Sequence, residues 1–416
     1  MRFFDREQEF EKLRGIETLS HEIAQFTIIT GRRRIGKTEM VKKFHEDKAM
    51  LYFFVARKAE ADLCEIFVDE IRTKLNIPML ASKGMSFATV FKYIMELSLT
   101  QHITLFIDEF QDFTKLFYGF IQSIRSINRT CRMVCVGDEY QAINRFAGSD
   151  IKYFKHFKEF FGTDSKKLML STNYRSNNDI VKAGCDFLRM HFDENIDFTS
   201  TKAGQNSVCC ADISRRKLSG SKENRYKENR YLEQVVQIIS DNKTKDSIKI
   251  LHRNRKLSFM TKSSDIHGER SHRKELHEFL ALVRSECVKK NIMSEQDFSE
   301  KVTVDTIHKS KGLEADVVIF LETDTDVISS IHPNLSLFSI FGDTPEIVMA
   351  DEKRLFYVAI TRAKEQLWLL YDGDEMNKKP NGGYISLTGA EFSKIMGSDP
   401  STWYIKLFIG GPAFTD

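Results

Sequence analysis

A chain of 416 residues, 41% hydrophobic and 29% charged, is long enough for two or three ordinary cores, and this composition excludes a disordered or fibrous protein. The formal charge of +3 is compatible with a nucleic-acid partner and does not require one. Seven scattered cysteines with no C-x-x-C pair point to buried thiols in a reducing compartment, not to a disulfide framework or a metal site. No apolar run has the length of a membrane span, and the opening "MRFFDREQEF" is too acidic for a signal peptide. A cytoplasmic protein is expected.

In chain order, short apolar runs alternate with helical patterns. "FTIIT" (26–30), "LYFFVA" (51–56), "ITLFID" (103–108), "RMVCVG" (132–137) and "KLMLS" (167–171) are five or six residues long and apolar on both faces. Such runs suit strands of a parallel sheet covered on both sides. Helical stretches such as "EADLCEIFVDEIRTKL" (60–75) lie between them, which is α/β grammar. The grammar returns with "IKILHR" (248–253), "VTVDTI" (302–307), "DVVIFLE" (316–322) and "QLWLLYD" (366–372). Two α/β domains are therefore expected, 1–170 and 171–372, followed by a tail, 373–416, with no readable motif. The polar, basic segment from about Thr199 to Asn229 reads as loop-rich. Its repeat "KENRY" (222–226 and 227–231) reads as a solvated helix start, because five residues turn a helix by about 500° and the copies cannot share one stripe.

The first strand runs into "GRRRIGKT", with the spacing Gly31-x-x-x-x-Gly36-Lys37-Thr38 of a phosphate-binding loop between strand and helix. The glycines let backbone N–H groups approach the phosphates, Lys37 reaches the β and γ oxygens, and Thr38 ligates magnesium. About seventy residues on, "LFIDEF" ends a strand on Asp108 and Glu109. The Asp can hold magnesium, and the Glu can take the proton from an attacking water. ATP and Mg2+ are the expected cofactors.

Residues 1 to about 110 resemble the archaeal-type P-loop ATPases through "FFDREQEFEKL", "GRRRIGKT", "LYFFVARKAEADL" and "FIDEFQDF". Arg32, Arg33 and Arg34 suit that likeness; they either add positive potential beside a triphosphate or project into solvent. From Phe106 onward the chain resembles the UvrD/Rep-type superfamily 1 DNA helicases. "VGDEYQAINRFAGSD" (136–150), "STNYRSNNDI" (171–180), "VDTIHKSKGLEADVVIFLE" (304–322) and "DEKRLFYVAITRAKEQLWLL" (351–370) follow in helicase order.

That resemblance implies two RecA-like P-loop domains with parallel sheets and ATP at their interface. Gln141 would bond the γ-phosphate or the lytic water from a turn facing DNA. Tyr174 would stack on the base, Arg175 would reach the γ-phosphate, Glu314 would accept from the ribose, and Arg362 would act as an arginine finger. Phe146 is placed to stack on a single strand or else is one more core phenylalanine; Thr306 and His308 would face the strand backbone. Stepping 3′ to 5′ on single-stranded DNA is implied, and a stacking aromatic would accept RNA as well.

Some positions depart from the helicase pattern. Asn144 and Ala147 replace an aromatic and an arginine that often flank the stacking residue. The intervals between motifs leave little room for accessory subdomains, which favours translocation over processive unwinding. Gln8 as an adenine contact and Lys58 as a DNA contact carry little support. The competing reading is a nucleotide-driven switch ATPase without unwinding activity.

Overall fold

The computed structural model describes residues 6–22, 25–31, 36–54, 60–77, 86–100, 102–127, 132–162, 165–192, 197–213, 221–260, 275–323 and 344–371. Two compact units divide the chain, Met1–Ser171 and Thr172–Asp416.

In the first unit, β1 (Gln25–Gly31), β2 (Met50–Phe54), β3 (Thr104–Asp108), β4 (Arg132–Val136) and β5 (Lys166–Leu170) form one parallel sheet in the order β2-β3-β4-β1-β5. Side chains alternate across a strand, so both faces must be apolar for a strand to be wholly buried. Phe26, Ile28, Leu105, Ile107 and Met133 pack on one face with Phe67, Val68, Ile94 and Ile121. Ile29, Phe106, Val134 and Val136 pack on the other with Leu13, Met40 and Val41. Beyond the end of β3, Phe110 lies 4.5 Å from Phe113 and 5.6 Å from Phe157 between ring centroids. Burying a phenylalanine contributes about 1.5–3 kcal/mol, so this aromatic cluster anchors the chain next to the acidic pair.

The second unit has a small parallel pair, β6 (Thr172–Asn173) with β7 (Thr199–Ser200). Its main sheet comprises β8 (Val208–Asp212), β9 (Ile248–His252), β10 (Val302–Thr306), β11 (Ala315–Phe320) and β12 (Ala363–Tyr371), parallel in the order β10-β9-β11-β12-β8.

The loop-rich reading of 199–229 is corrected here. That segment contributes β7, the edge strand β8 and the start of the helix Ser221–Asp241. β8 escaped notice because its apolar run "VCCA" is short, built of small residues and only partly buried. The repeat is the helix start that the sequence predicts, but it is not solvated to its end. Both copies are helical, but Tyr231 at the end of the second is buried, with its ring 4.0 Å from that of Phe259. Tyr231 opens the helix's apolar stripe, continued by Val235, Ile238 and Ile239 at helical spacing. The tail 373–416 lies outside the described residues.

Candidate functional site

β1 delivers the chain into the phosphate loop at the carboxyl end of the first sheet, where open α/β sheets place their ligands. Gly36 caps the helix Lys37–Phe44 with φ +85°, a left-handed value that a side chain would oppose. The Lys37 ammonium is buried and donates to the Gly31 carbonyl at 2.6 Å, across its own loop. Next to it, Thr38 Oγ1 donates to Asp108 Oδ2 at 2.9 Å. A hydroxyl and a carboxylate held together are hard oxygen donors of the kind Mg2+ takes, so these residues fit that ion. Arg32, Arg33 and Arg34 lie outside the described residues, as does Lys58.

Asp108 also accepts from the Tyr52 hydroxyl at 2.8 Å and, through Oδ1, from the Glu109 N–H at 2.9 Å. Burial and then the neighbouring Glu109 charge push the Asp108 carboxyl above its usual range, while these hydrogen bonds pull against that shift. Burial, followed by the Asp108 charge, raises the Tyr52 hydroxyl far above its ordinary value and keeps it a donor. Tyr52 was invisible as a site residue in the sequence, where it reads as one more apolar strand position.

Glu109 stands at φ +53°, left-handed for a residue with a side chain. Its Oε2 accepts from Gln111 Nε2. Gln111 Oε1 in turn accepts the Asp138 N–H at 3.0 Å, and Asp138 Oδ2 accepts Gln141 Nε2 at 2.6 Å. Glu109 and Gln141 are thus joined through two intermediates, Gln111 and Asp138, which motif reading passed over. Further along, Phe146 is 71% exposed on the turn Arg145–Ala147, so it is not a core phenylalanine. Gln8 is an exposed residue of the helix Glu7–Leu19.

In the second unit, Arg175 and Arg362 converge on Thr361. Arg175 Nη2 donates to the Thr361 carbonyl at 2.9 Å, and its Nη1 lies 3.7 Å from Glu314 Oε2. Arg362 is fully buried: Nε donates to Val358 O at 2.8 Å, Nη1 to Leu313 O at 3.3 Å and Nη2 to Thr361 Oγ1 at 2.9 Å. Both guanidiniums are therefore embedded in the fabric of this unit. Tyr174 is partly exposed beside them. Thr306 precedes the short helix Ile307–Ser310, and both Thr306 and His308 are half-buried.

The family model of the UvrD/REP helicase N-terminal domain matches residues 57–162, and that of the UvrD-like helicase C-terminal domain matches 224–373, together more than half of the chain. The chain belongs to the UvrD/Rep-type superfamily 1 helicases. DNA helicase IV of Escherichia coli (strain K12) is 23% identical over 274 residues, 64% of this chain and 34% of its own length. ATP-dependent DNA helicase PcrA of Staphylococcus aureus (strain MRSA252) is 33% identical over 84 residues, 20% of this chain and 10% of its own. DNA helicase II of Rickettsia typhi (strain ATCC VR-144 / Wilmington) is 31% identical over 97 residues, 23% of this chain and 13% of its own. This UvrD/Rep-type chain spans about a third of helicase IV and less of the other two. Among solved structures, Cdc6p from Pyrobaculum aerophilum is 15% identical over 58% of this chain and 64% of that one, with a TM-score of 0.30, too loose a likeness to bear on the fold. No helix among the described residues is long and apolar enough to cross a membrane.

Proposed function

We propose that this UvrD/Rep-type chain is a cytoplasmic ATP-dependent DNA helicase or translocase that steps 3′ to 5′ on single-stranded DNA. The observation that carries the reading is the split of the machinery: Lys37, Thr38, Asp108 and Glu109 gather in one unit, Arg175, Glu314 and Arg362 in the other. Such a division of labour suits a motor in which ATP binding and hydrolysis are coupled to movement along a strand.

Gly31, Gly36 and Lys37 would hold the phosphates, with Thr38 and Asp108 holding magnesium. The bound ion supplies charge neutralisation at the phosphate oxygens. Glu109 then takes the proton of the attacking water while Gln141 orients it. Arg175 and Arg362 would offset the charge that develops on the transferring phosphoryl group, with Tyr174 on the base and Glu314 on the ribose. Phe146, Thr306 and His308 would meet the strand. The family relationship supports DNA as the track.

ATP hydrolysis measured with and without single-stranded DNA tests this reading. We expect stimulation by DNA, a fall of about 10²–10⁴ in turnover for Glu109→Gln, and retained nucleotide binding in that variant. Arg362→Ala should lose turnover while still binding nucleotide; full activity there would remove Arg362 from the machinery. Rates indifferent to DNA would favour the nucleotide switch, and stimulation by RNA alone would replace the track.

A further inference from the structure

Gln111 occupies the turn Phe110–Asp112 directly after the acidic pair and is 2% exposed. Its amide orientation follows from chemistry: the Asp138 N–H can only donate, so the atom facing it at 3.0 Å must be the oxygen. The NH2 group then faces Glu109 Oε2 and donates to it. One buried side chain thus holds the Glu109 carboxylate with one end and the start of the turn after β4 with the other.

The surroundings are built around that side chain. A Cβ on Gly137 would lie 2.6 Å from Gln111 Oε1 and 3.2 Å from Gln111 N, so the position after β4 stays bare where Gln111 passes. Downstream, the same two segments stay laced together. Asn144 Nδ2 donates to Asp112 Oδ2 at 3.0 Å, Asp150 N–H donates to Phe113 O at 3.0 Å, and Thr114 bridges Ser149. Phe146 projects from the middle of this laced turn.

We propose that Gln111 is a positioning residue through which the turn 138–148 sets the Glu109 carboxylate, so that strand contact at Phe146 governs hydrolysis. This rests on the reading of Glu109 as the base and Phe146 as a strand contact. The turn cannot shift relative to Glu109 without breaking one of two hydrogen bonds, the one to Asp138 buried and the one to Glu109 partly so, and a buried polar group left unpaired is costly. Movement of the turn is therefore movement of the carboxylate.

Two variants test it in the full chain. Gln111→Glu is isosteric: it keeps an oxygen for the Asp138 N–H and sets an oxygen in place of the NH2 against Glu109. Gln111→Met removes both contacts. With a single-stranded thymidine homopolymer as probe, the ratio of DNA-stimulated to basal turnover should fall about tenfold in Gln111→Glu, the factor that corresponds to one lost hydrogen bond, and at least as far in Gln111→Met. Binding of a fluorescent ATP analogue and of the homopolymer should persist in both, and thermal melting of Gln111→Glu should fall, because it buries a second carboxylate against Glu109. A Gln111→Glu protein whose basal and stimulated rates fall by one common factor, or do not fall, overturns the proposal. Glu109→Gln run in parallel separates the two levels. If it hydrolyses ATP at the parent rate, the underlying reading fails; if its turnover falls as expected while Gln111→Glu remains fully DNA-responsive, only the role of Gln111 fails.

Discussion

Single residues in this protein carry charge into places that would otherwise reject it. Asp108 is buried yet accepts hydrogen bonds from Thr38, Tyr52 and the Glu109 N–H, which is why a carboxylate can stand there. His45 shows the opposite outcome. Burial, reinforced by the Arg132 and Lys48 charges, lowers its imidazole to about 4, while the Val41 carbonyl and Glu17 pull the other way. A histidine held neutral in the fold but ordinary when unfolded contributes stability above pH ~6.5, and that stability is lost as pH falls toward 4. Between pH 7 and pH 5 the first unit should lose about 2 kcal/mol from this group. Hydrogen exchange of the β1 amides at both pH values should show that loss, and His45→Gln should shrink it. Phe146 sits at the opposite extreme of exposure. Phe146→Ala should weaken single-strand affinity by about 1–3 kcal/mol, read by fluorescence anisotropy, with a smaller effect on DNA-free hydrolysis.

Among the elements, the helix Pro345–Ile360 connects fold to candidate chemistry, because it ends at Thr361 and Arg362. Thr344 caps its start by accepting the Ile347 N–H, and Pro345 suits the first turn, where its missing N–H costs nothing. Its flank is tied to the end of β9 by a two-pronged ion pair: Arg253 donates to both oxygens of Glu352, Nε at 2.8 Å. Burial raises the Glu352 carboxyl above its usual range, and Arg253 opposes that shift. Glu352→Ala would leave the guanidinium without its carboxylate. Arg253 keeps 21% of its side chain in water, so the loss should lie near the low end for a broken buried pair, roughly 3 kcal/mol. Urea unfolding followed at Trp368, within the same unit, measures it.

At the scale of the whole molecule, two parallel α/β units each hold half of the candidate machinery. Turnover should therefore fail when either half is damaged, while nucleotide binding depends mainly on the half with the phosphate loop. Arg175→Ala is a second probe of that half, since Arg175 and Arg362 are both held within their own unit through Thr361. We expect kcat to fall by about 10³ or more, the lower range for a lost arginine finger, with the affinity for a fluorescent ATP analogue largely kept. Equal loss of binding and turnover would place Arg175 in the scaffold.

The phosphate loop, the acidic pair and nine of the strands could be read directly from neighbouring residues. Such patterns are local: a strand buried on both faces, as β1, β3, β4 and β11 are, is apolar at consecutive positions, and a loop that cradles phosphate needs its glycines and lysine at fixed offsets. Folding alone decided what joins distant positions. Tyr52 reaches Asp108 across 56 residues, Gln111 meets Asp138 across 27, and Arg175 meets Thr361 across 186. The burial of Tyr231 could have been read from the stripe it shares with Val235, Ile238 and Ile239, but its ring partner Phe259 could not, and β8 became a strand because β12 offered it an edge. No property of those residues or of their neighbours in sequence announces such partners, because a hydrogen bond or a ring contact exists only once the chain has brought both groups together.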